Sequence, residues 1–386
     1  MIGKGKKIVL VVNVAWSMFN FRHGVLTRLL KEGYKVTIIT APDEYSNKLR
    51  DMGCEVIDLA ISAKGTNPFR DITLISDLYG YYRDIAPDFI IHYSIKPNIY
   101  GSLAAKLAGI PSIAITTGLG YTFLNDNLIA RVARALYRLS FRFPKEVWFL
   151  NDDDRQTFLQ YRLVSKDKAV LLYGEGVDLK HFQPTSSKAQ PNIVDLGMPN
   201  PPVRFLLIAR MLWDKGIAEY VDAARIVKEL YPHAVFQLLG PCGVANPSVI
   251  KRDVIAQWEA EGVVEYLGTT EDVRPLIADA DCVVLPSYRE GIPRTMIESA
   301  AMAKPLIVSD VAGCRDVVIP DVTGFLCPVK DVKGLAECYE KLIALHPSAR
   351  ALMGNAGRQF MEKQFDEELV IEQYLTTLKK YGVIHV

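Results

Sequence analysis

Two carboxylates, Glu290 and Glu298, bracket a glycine, a proline and a threonine in the segment EGIPRTMIE. Upstream, DCVVLP (281–286) is an apolar run suited to a strand covered on both faces in a parallel sheet. Pro293 suits the first position of a helix, where its missing N–H costs nothing. Lys304 and Pro305 suit the helix end, so the helix is expected to run to about Ala303. PLIVSD then supplies a second apolar strand. Gly291 lets a ligand approach the backbone closely, and the amides at a helix start attract phosphate. A loop acid, an anion site and a helix acid match the sugar hydroxyls, diphosphate and ribose of a nucleotide sugar. Taken alone, Glu-x7-Glu is more simply a loop acid and an exposed helix acid, so the weight falls on its company.

That company is ARMLWDKG, which sets Arg210 just after the apolar run VRFLLIA and Lys215 five residues further on. In a doubly wound sheet, ligands bind at the carboxyl ends of the strands. Two cations there can neutralise a diphosphate, and a guanidinium grips it through two donors. The plainer alternative is an interdomain salt bridge for Arg210 and a solvated loop for Lys215. Glu290 and Glu298 in the same half of the chain make the combination specific.

The elements that must position these groups follow an alternating pattern. KIVLVVN (7–13), KVTIIT (35–40), CEVIDL (54–59), DFIIHY (88–93), PSIAIT (111–116), EVWFL (146–150) and AVLL (169–172) read as strands, several of them separated by amphipathic helical stretches. Residues 183–202 contain five prolines and little periodicity. After them the alternation restarts with VRFLLIA (203–209), AVFQLLG (234–240), VVEYLG (263–268), CVVLP (282–286), PLIVS (305–309) and GFLC (324–327). The expected architecture is α/β, two Rossmann-like doubly wound parallel-sheet domains facing a cleft. Residues 1–184 form the first, 185–202 a linker and 203–365 the second, with a C-terminal helix at about 366–386 packing back on the first.

Bulk properties exclude other classes. A chain of 386 residues is long for one core, and 49% hydrophobic with 23% charged residues describes an ordinary globular protein. The net charge of +1 makes no case for nucleic acid. Residues 1–184 hold 24 Lys+Arg against 18 Asp+Glu, a net of +6, and the remainder 21 against 26, a net of −5. A basic half suits an anionic partner, lipid or phosphate. The six cysteines form no C-x-x-C pair, which points to reduced thiols in a reducing compartment. The N-terminus is basic then apolar, but the apolar run is short, so a first strand is expected rather than a signal peptide. No stretch reaches the ~20 apolar residues of a membrane-spanning helix.

RMLWDKG followed by EGIPRTMIE resembles the retaining glycosyltransferases of family 4, which have the GT-B architecture and use a nucleotide sugar without metal. Within that family, IKPNIYGSLAAKLAGIP, TGLGYTFL, GVDLKHFQP and LPSYREG are similar to enzymes that build glycans on polyprenyl diphosphate, such as those adding N-acetylgalactosamine to lipid-linked bacillosamine. O-antigen and capsule transferases fit equally. The resemblance implies that Arg210 and Lys215 bind the donor diphosphate, Glu290 the transferred sugar and Glu298 the ribose. It places the backbone of Gly291, Ile292 and Pro293 on sugar and phosphate, with Thr295 nearby and Leu267 and Gly268 framing the base. Thr270 and its neighbour Thr269 read better as cap residues than as ligands.

The first half departs from the family in one place. Many members carry a histidine after the fifth strand, where this chain has Thr117 in ITTGLGYTF. His23 and His92 are candidate substitutes, each more simply read as a structural histidine. Gly118 and Gly120 would permit close approach of acceptor or donor. Lys96, after DFIIHY, suits an acceptor phosphate or a solvated loop, and residues 19–22, expected in the first strand–helix connection, are further candidates. Arg131, Arg134, Arg138 and Arg142 share one helical face within 127–143 beside Leu128, Val132, Leu136 and Leu139. Such a helix can lie on anionic lipid or receive a diphosphate, or simply turn its arginines to water. The acidic run NDDDR (151–155) fits a helix cap and first turn better than a D-x-D metal site.

The resulting expectation is a metal-independent retaining transferase with a UDP-sugar donor and a polyprenyl-diphosphate acceptor, peripheral on the cytoplasmic face of the inner membrane. A UDP-sugar 2-epimerase of the same architecture and a non-catalytic nucleotide-sugar-binding protein are the alternatives.

Overall fold

Every apolar run named above forms a strand in the computed structural model, which describes residues 3, 5–61, 68–119, 128–184, 202–244 and 246–384, with backbone alone at 68–70, 128 and 129. The expected linker apart from Pro202, together with Gly120 and Asn127, lies outside the described residues. The chain divides into two units, Met1–Glu175 with Glu367–Val386, and Gly176–Asp366.

In the first unit the strands are β1 (Lys7–Val14), β2 (Lys35–Ala41), β3 (Glu55–Asp58), β4 (Phe89–Tyr93), β5 (Ser112–Thr116), β6 (Glu146–Phe149) and β7 (Ala169–Leu171). They lie parallel in the order β3-β2-β1-β4-β5-β6-β7. The connecting helices are α1 (Ala15–Lys31), α2 (Tyr45–Asp51), α3 (Pro68–Ile85), α4 (Ser102–Ala108), α5 (Leu128–Ser140) and α6 (Asp152–Gln160). β4, β5 and β6 are buried throughout, which is why their sequences are continuously apolar rather than alternating. Residues 19–22 are not a connection: α1 starts directly after β1, and the buried Arg22 sits at a kink (φ −130°, ψ 20°) paired with Glu175 and over the Tyr93 ring.

The second unit holds β8 (Arg204–Ile208), β9 (Val235–Leu239), β10 (Glu265–Tyr266), β11 (Cys282–Leu285), β12 (Leu306–Ser309) and β13 (Gly324–Cys327), parallel in the order β10-β9-β8-β11-β12-β13. Its helices are α7 (Ile217–Leu230), α8 (Arg252–Ala260), α9 (Arg274–Asp279), α10 (Arg294–Ala301), α11 (Val332–Ala344) and α12 (Pro347–Gln364). Phe205, Tyr220, Phe236 and Tyr339 interlock at its centre, with ring centroids 4.7–6.0 Å apart. Truncating one such ring costs about 3–5 kcal/mol.

The unit boundary falls at 175/176, earlier than the proline-rich stretch suggested. Val177 and Phe182 are buried in the second unit's core, and Val177 N–H donates to Phe365 O at 2.7 Å. Apolar burial rather than proline content sets where the second unit begins. The last helix, α13 (Glu367–Lys380), belongs to the first unit. Its Tyr374 packs edge-on against Trp148 (4.9 Å) and shares a 2.8 Å hydrogen bond with the Tyr93 hydroxyl. Lys380 and Tyr381 donate to Glu146 at 2.6 and 3.0 Å.

Candidate active site

Strand order in the second unit reverses between β8 and β11, and the chain leaving each strand carries the charged residues singled out in the sequence. After β8, Ala209 is crossed by Gly240, whose φ of +138° and open side admit the contact; a Cβ there would lie 1.9 Å from Ala209 O. Arg210 follows, exposed, and among the described residues it makes no ion pair. A short turn, Trp213–Lys215, then ends at Gly216, with φ +72° and room for no Cβ within 2.0 Å of Pro286 O. That contact lays Lys215 against the end of β11, where its ammonium pairs with the Glu290 carboxylate. Both side chains are nearly enclosed, at 17% and 15% exposure.

Neighbouring backbone clamps the loop bearing Glu290 on two sides. Tyr288 N–H and Ser287 Oγ donate to Asp214 O at 3.0 and 3.2 Å. Tyr288 OH donates to Glu219 Oε1 (2.7 Å), and Lys330 lies 4.5 Å over its ring. On the other side Glu290 N–H donates to Ala312 O at 3.3 Å, and Gly313 (φ +78°) sits where a Cβ would be 2.2 Å from Gly291 O. Gly216, Gly240, Gly313 and Tyr288 were not among the residues read from the sequence. A glycine directly after a short loop and before a helical run was the available signal at Gly216; nothing local marked the others.

Pro293 is the N-cap of α10 (φ −73°, ψ 110°) rather than its first residue, and the ladder begins with Met296 and Ile297 N–H donating to Pro293 O at 3.0 and 3.3 Å. The helix closes at Ala301, two residues short of expectation, because Ala303 turns left-handed at φ +57°. Its start faces the β8 end: Thr295 Oγ1 donates to Ile208 O at 3.3 Å, so that hydroxyl ties helix to strand. Ile292 is half-buried against the core. Glu298 is buried, its Oε1 accepting from Arg294 Nε at 2.8 Å. Burial pushes its pKa above the usual carboxylate range, and Arg294 pulls it back part of the way. Leu267 packs on the same core, while Gly268 (φ +71°) accepts from Gly240 N–H at 2.8 Å, which brings the β9 and β10 ends together. Thr270 Oγ1 accepts from Asp272 N–H (3.2 Å) in a turn, and Val273 is the N-cap of α9.

In the first unit the order reverses between β1 and β4. His92, on β4, is 0% exposed, shares a 3.0 Å hydrogen bond with Tyr82 OH, and meets Gly101 where a Cβ would lie 2.5 Å from its ring. It is a core residue and is withdrawn from the acceptor-binding set. Burial lowers its pKa to about 3. Lys96 is half-buried at the β4 end and donates to Asp71 at 2.8 Å, which also accepts from Tyr100 OH at 2.8 Å. Thr117 is exposed just past β5, and Gly118 follows with φ +126°. On α5, Arg131 is exposed, but Arg134 stacks 5.0 Å over Tyr161 and Arg138 donates to Tyr161 O and Arg162 O at 3.0 and 3.4 Å. The helix ends at Ser140, so Arg142 lies beyond it. Asn151 caps α6 by accepting from Asp154 N–H (2.8 Å), and the three aspartates form its first turn.

Comparison with known proteins identifies the scaffold. Residues 7–151 match the family described as Glycosyl transferase 4-like, and residues 202–344 the family described as Glycosyl transferases group 1. The chain is 32% identical over 367 residues, 93% of its own length and 94% of the relative's, to the N,N'-diacetylbacillosaminyl-diphospho-undecaprenol alpha-1,3-N-acetylgalactosaminyltransferase of Campylobacter jejuni.

The chain belongs to the group 1, family 4-like glycosyltransferases.

A UDP-Gal:alpha-D-GlcNAc-diphosphoundecaprenol alpha-1,3-galactosyltransferase of Escherichia coli is 26% identical over 68% of this chain and 70% of its own. Among solved structures, Anabaena HepE in complex with UDP and glucose has a TM-score of 0.78 at 18% identity, covering 97% of this chain and 99% of that one. That likeness is one of fold, and the fold is GT-B, a pair of Rossmann-like units.

For a glycosyltransferase, the second unit offers one kind of chemistry. An exposed guanidinium, a lysine held by a carboxylate and a helix N-terminus collect at the strand ends where ligands of such sheets bind. Groups of these kinds are suited to stabilise negative charge, such as that of a diphosphate. Cys314 nearby is buried, and burial pushes its thiol well above the ordinary range, so it is no nucleophile.

Proposed function

We propose that this glycosyltransferase moves a sugar, an N-acetylhexosamine, from a UDP-sugar to a glycan carried on polyprenyl diphosphate, with retention at the anomeric carbon. The observation that carries the reading is the placement of Arg210 and the Lys215–Glu290 pair at the ends of β8 and β11, between which strand order reverses. Relatives named for N-acetylgalactosamine or galactose transfer to diphospho-undecaprenol-linked sugars support the substrate classes.

As the donor C1–O bond breaks, its electron pair passes to the departing diphosphate, whose charge Arg210, Lys215 and the amides at the start of α10 stabilise. The acceptor hydroxyl attacks C1 on the same face and gives its proton to the leaving phosphate oxygen. Glu290 holds hydroxyls of the transferred sugar, Glu298 the ribose, and Leu267 and Gly268 the base. The chain's own cations and helix terminus supply the counter-charge, which supports a reaction that needs no metal ion. In the first unit, Lys96, Thr117 and Gly118 receive the acceptor. The exposed Arg131, Val132 and Leu139 of α5 rest on the anionic cytoplasmic face of the membrane. Among the described residues no helix is long and apolar enough to cross it.

The purified chain, incubated with UDP-N-acetylgalactosamine and a sugar-bearing undecaprenyl diphosphate, should add one N-acetylhexosamine with its anomeric configuration kept, with or without EDTA. Mass spectrometry and NMR of the lipid product read the outcome. Absence of transfer from every UDP-sugar tried would overturn the reading, and loss of transfer in EDTA that added metal restores would overturn its metal-free part.

A further inference from the structure

Arg294 and Glu298 stand one turn apart on α10, and each occupies the electrostatically poorer end for its charge. The positive N-terminus of a helix favours acids and its C-terminus favours bases. An acid four residues before a base is likewise the better order for a helix-surface pair. Here the base is the first residue of α10 and the acid follows four residues later. Helix stability alone would select the opposite arrangement. The pair is also largely removed from water, with side-chain exposures of 18% and 11%, so it is no solvated surface bridge. Only Nε of the guanidinium is needed to hold Oε1 of Glu298, at 2.8 Å, and among the described residues no donor engages Oε2.

We propose that Arg294 is a positioning residue that keeps the Glu298 carboxylate ionised and turned so that Oε2, with the second lone pair of Oε1, accepts two hydroxyls of a vicinal diol, the ribose of the donor nucleotide. The inference rests on the reading of Glu298 as the ribose carboxylate and adds the residue that makes it competent. Burial acts against the ionised form of Glu298 and Arg294 acts for it. A carboxylate accepts a hydroxyl hydrogen bond roughly twice as strongly as a neutral carboxyl group. Without the guanidinium, burial is left unopposed in favouring the protonated acid, which has one accepting oxygen fewer.

The test measures binding of UDP and of 2',3'-dideoxy-UDP by calorimetry to the full chain and to Arg294→Gln, Arg294→Lys and Glu298→Gln. Wild type should prefer UDP by roughly ten- to hundredfold, the range for hydrogen bonds to a charged group. Arg294→Gln should bring that preference down to the level of Glu298→Gln while leaving the dideoxy affinity unchanged, and Arg294→Lys should retain part of it. A merely structural role would weaken both nucleotides together, and that outcome overturns the proposal. So does an Arg294→Gln variant with full wild-type preference, while loss of preference in Glu298→Gln alone leaves the ribose reading standing. Equal affinity of wild type for the two nucleotides overturns the ribose reading and this proposal with it. Should Arg294→Gln melt below the assay temperature, the ratio in Arg294→Lys decides: an undiminished preference there counts against the proposal.

Discussion

The two sheets reverse strand order in the same way, yet their reversal points are furnished differently. In the second unit, the ends of β8 and β11 carry Arg210, Lys215 and Glu290, and three left-handed glycines press the supporting loops against backbone at distances no side chain would allow. In the first unit, the end of β4 carries a histidine sealed in the core and a lysine already paired with Asp71. One edge is built as a fixed electrostatic cradle; the other is shaped by burial, with its nearest charge committed to a neighbour. Under the proposed function, the difference matches a division of labour between stabilising a diphosphate in the second unit and holding an acceptor in the first.

The sharpest way to break that contrast is Arg210→Ala. Loss of one preorganised charge partner of the leaving group should lower kcat by roughly 10²–10³, while the melting temperature stays at wild type because Arg210 is exposed. Near-normal turnover would remove the cradle from the argument. Gly313→Ala tests whether close backbone packing, rather than the charges alone, makes the cradle. Its Cβ would meet Gly291 O at 2.2 Å in a left-handed conformation, so donor KM should rise by about tenfold with a stability loss of about 1–3 kcal/mol. An unchanged KM would show that the loop tolerates displacement.

His92 probes the other edge through pH. Its ordinary pKa of 6.5 falls to about 3 on burial, so the unfolded chain binds the proton first on acidification. The neutral buried ring therefore contributes stability that is present above about pH 6.5 and lost as pH drops toward 3. Comparison of His92→Leu with wild type across pH 7 to 4 should show a shallower loss of melting temperature in the variant, with acceptor KM unaltered at neutral pH. A changed acceptor KM would restore His92 to the site. The smallest effect is expected at Lys96, where Asp71→Asn frees the ammonium. Acceptor KM should then fall by a few-fold, about 0.5–1 kcal/mol, and Lys96→Ala should raise it; insensitivity to both would leave Lys96 a structural residue.

Much was legible in the chain itself. Continuous apolar runs marked the strands because parallel strands are buried on both faces, and each proposed run became one. Glu290, Arg210 and Lys215 were visible as charges at strand ends or before helix starts, Glu298 as an acid on a helix, and NDDDR as a cap. Other features depended on partners distant in sequence. His92, at a strand end, could be read as a cleft residue or, more simply, as a structural histidine; Tyr82 and Gly101, closing over it, decide for the second. The unit boundary followed Val177 and Phe182 into the second core, ahead of the prolines. Lys215 found Glu290 only because Gly216 yields to Pro286, seventy residues away in the chain. Sequence alone determined the alternation of elements and the supply of charges, since periodicity and residue type are local properties. Which charges meet, which are sealed away and which stay open to a ligand was decided by tertiary structure, because burial and close backbone contact exist only once distant segments pack.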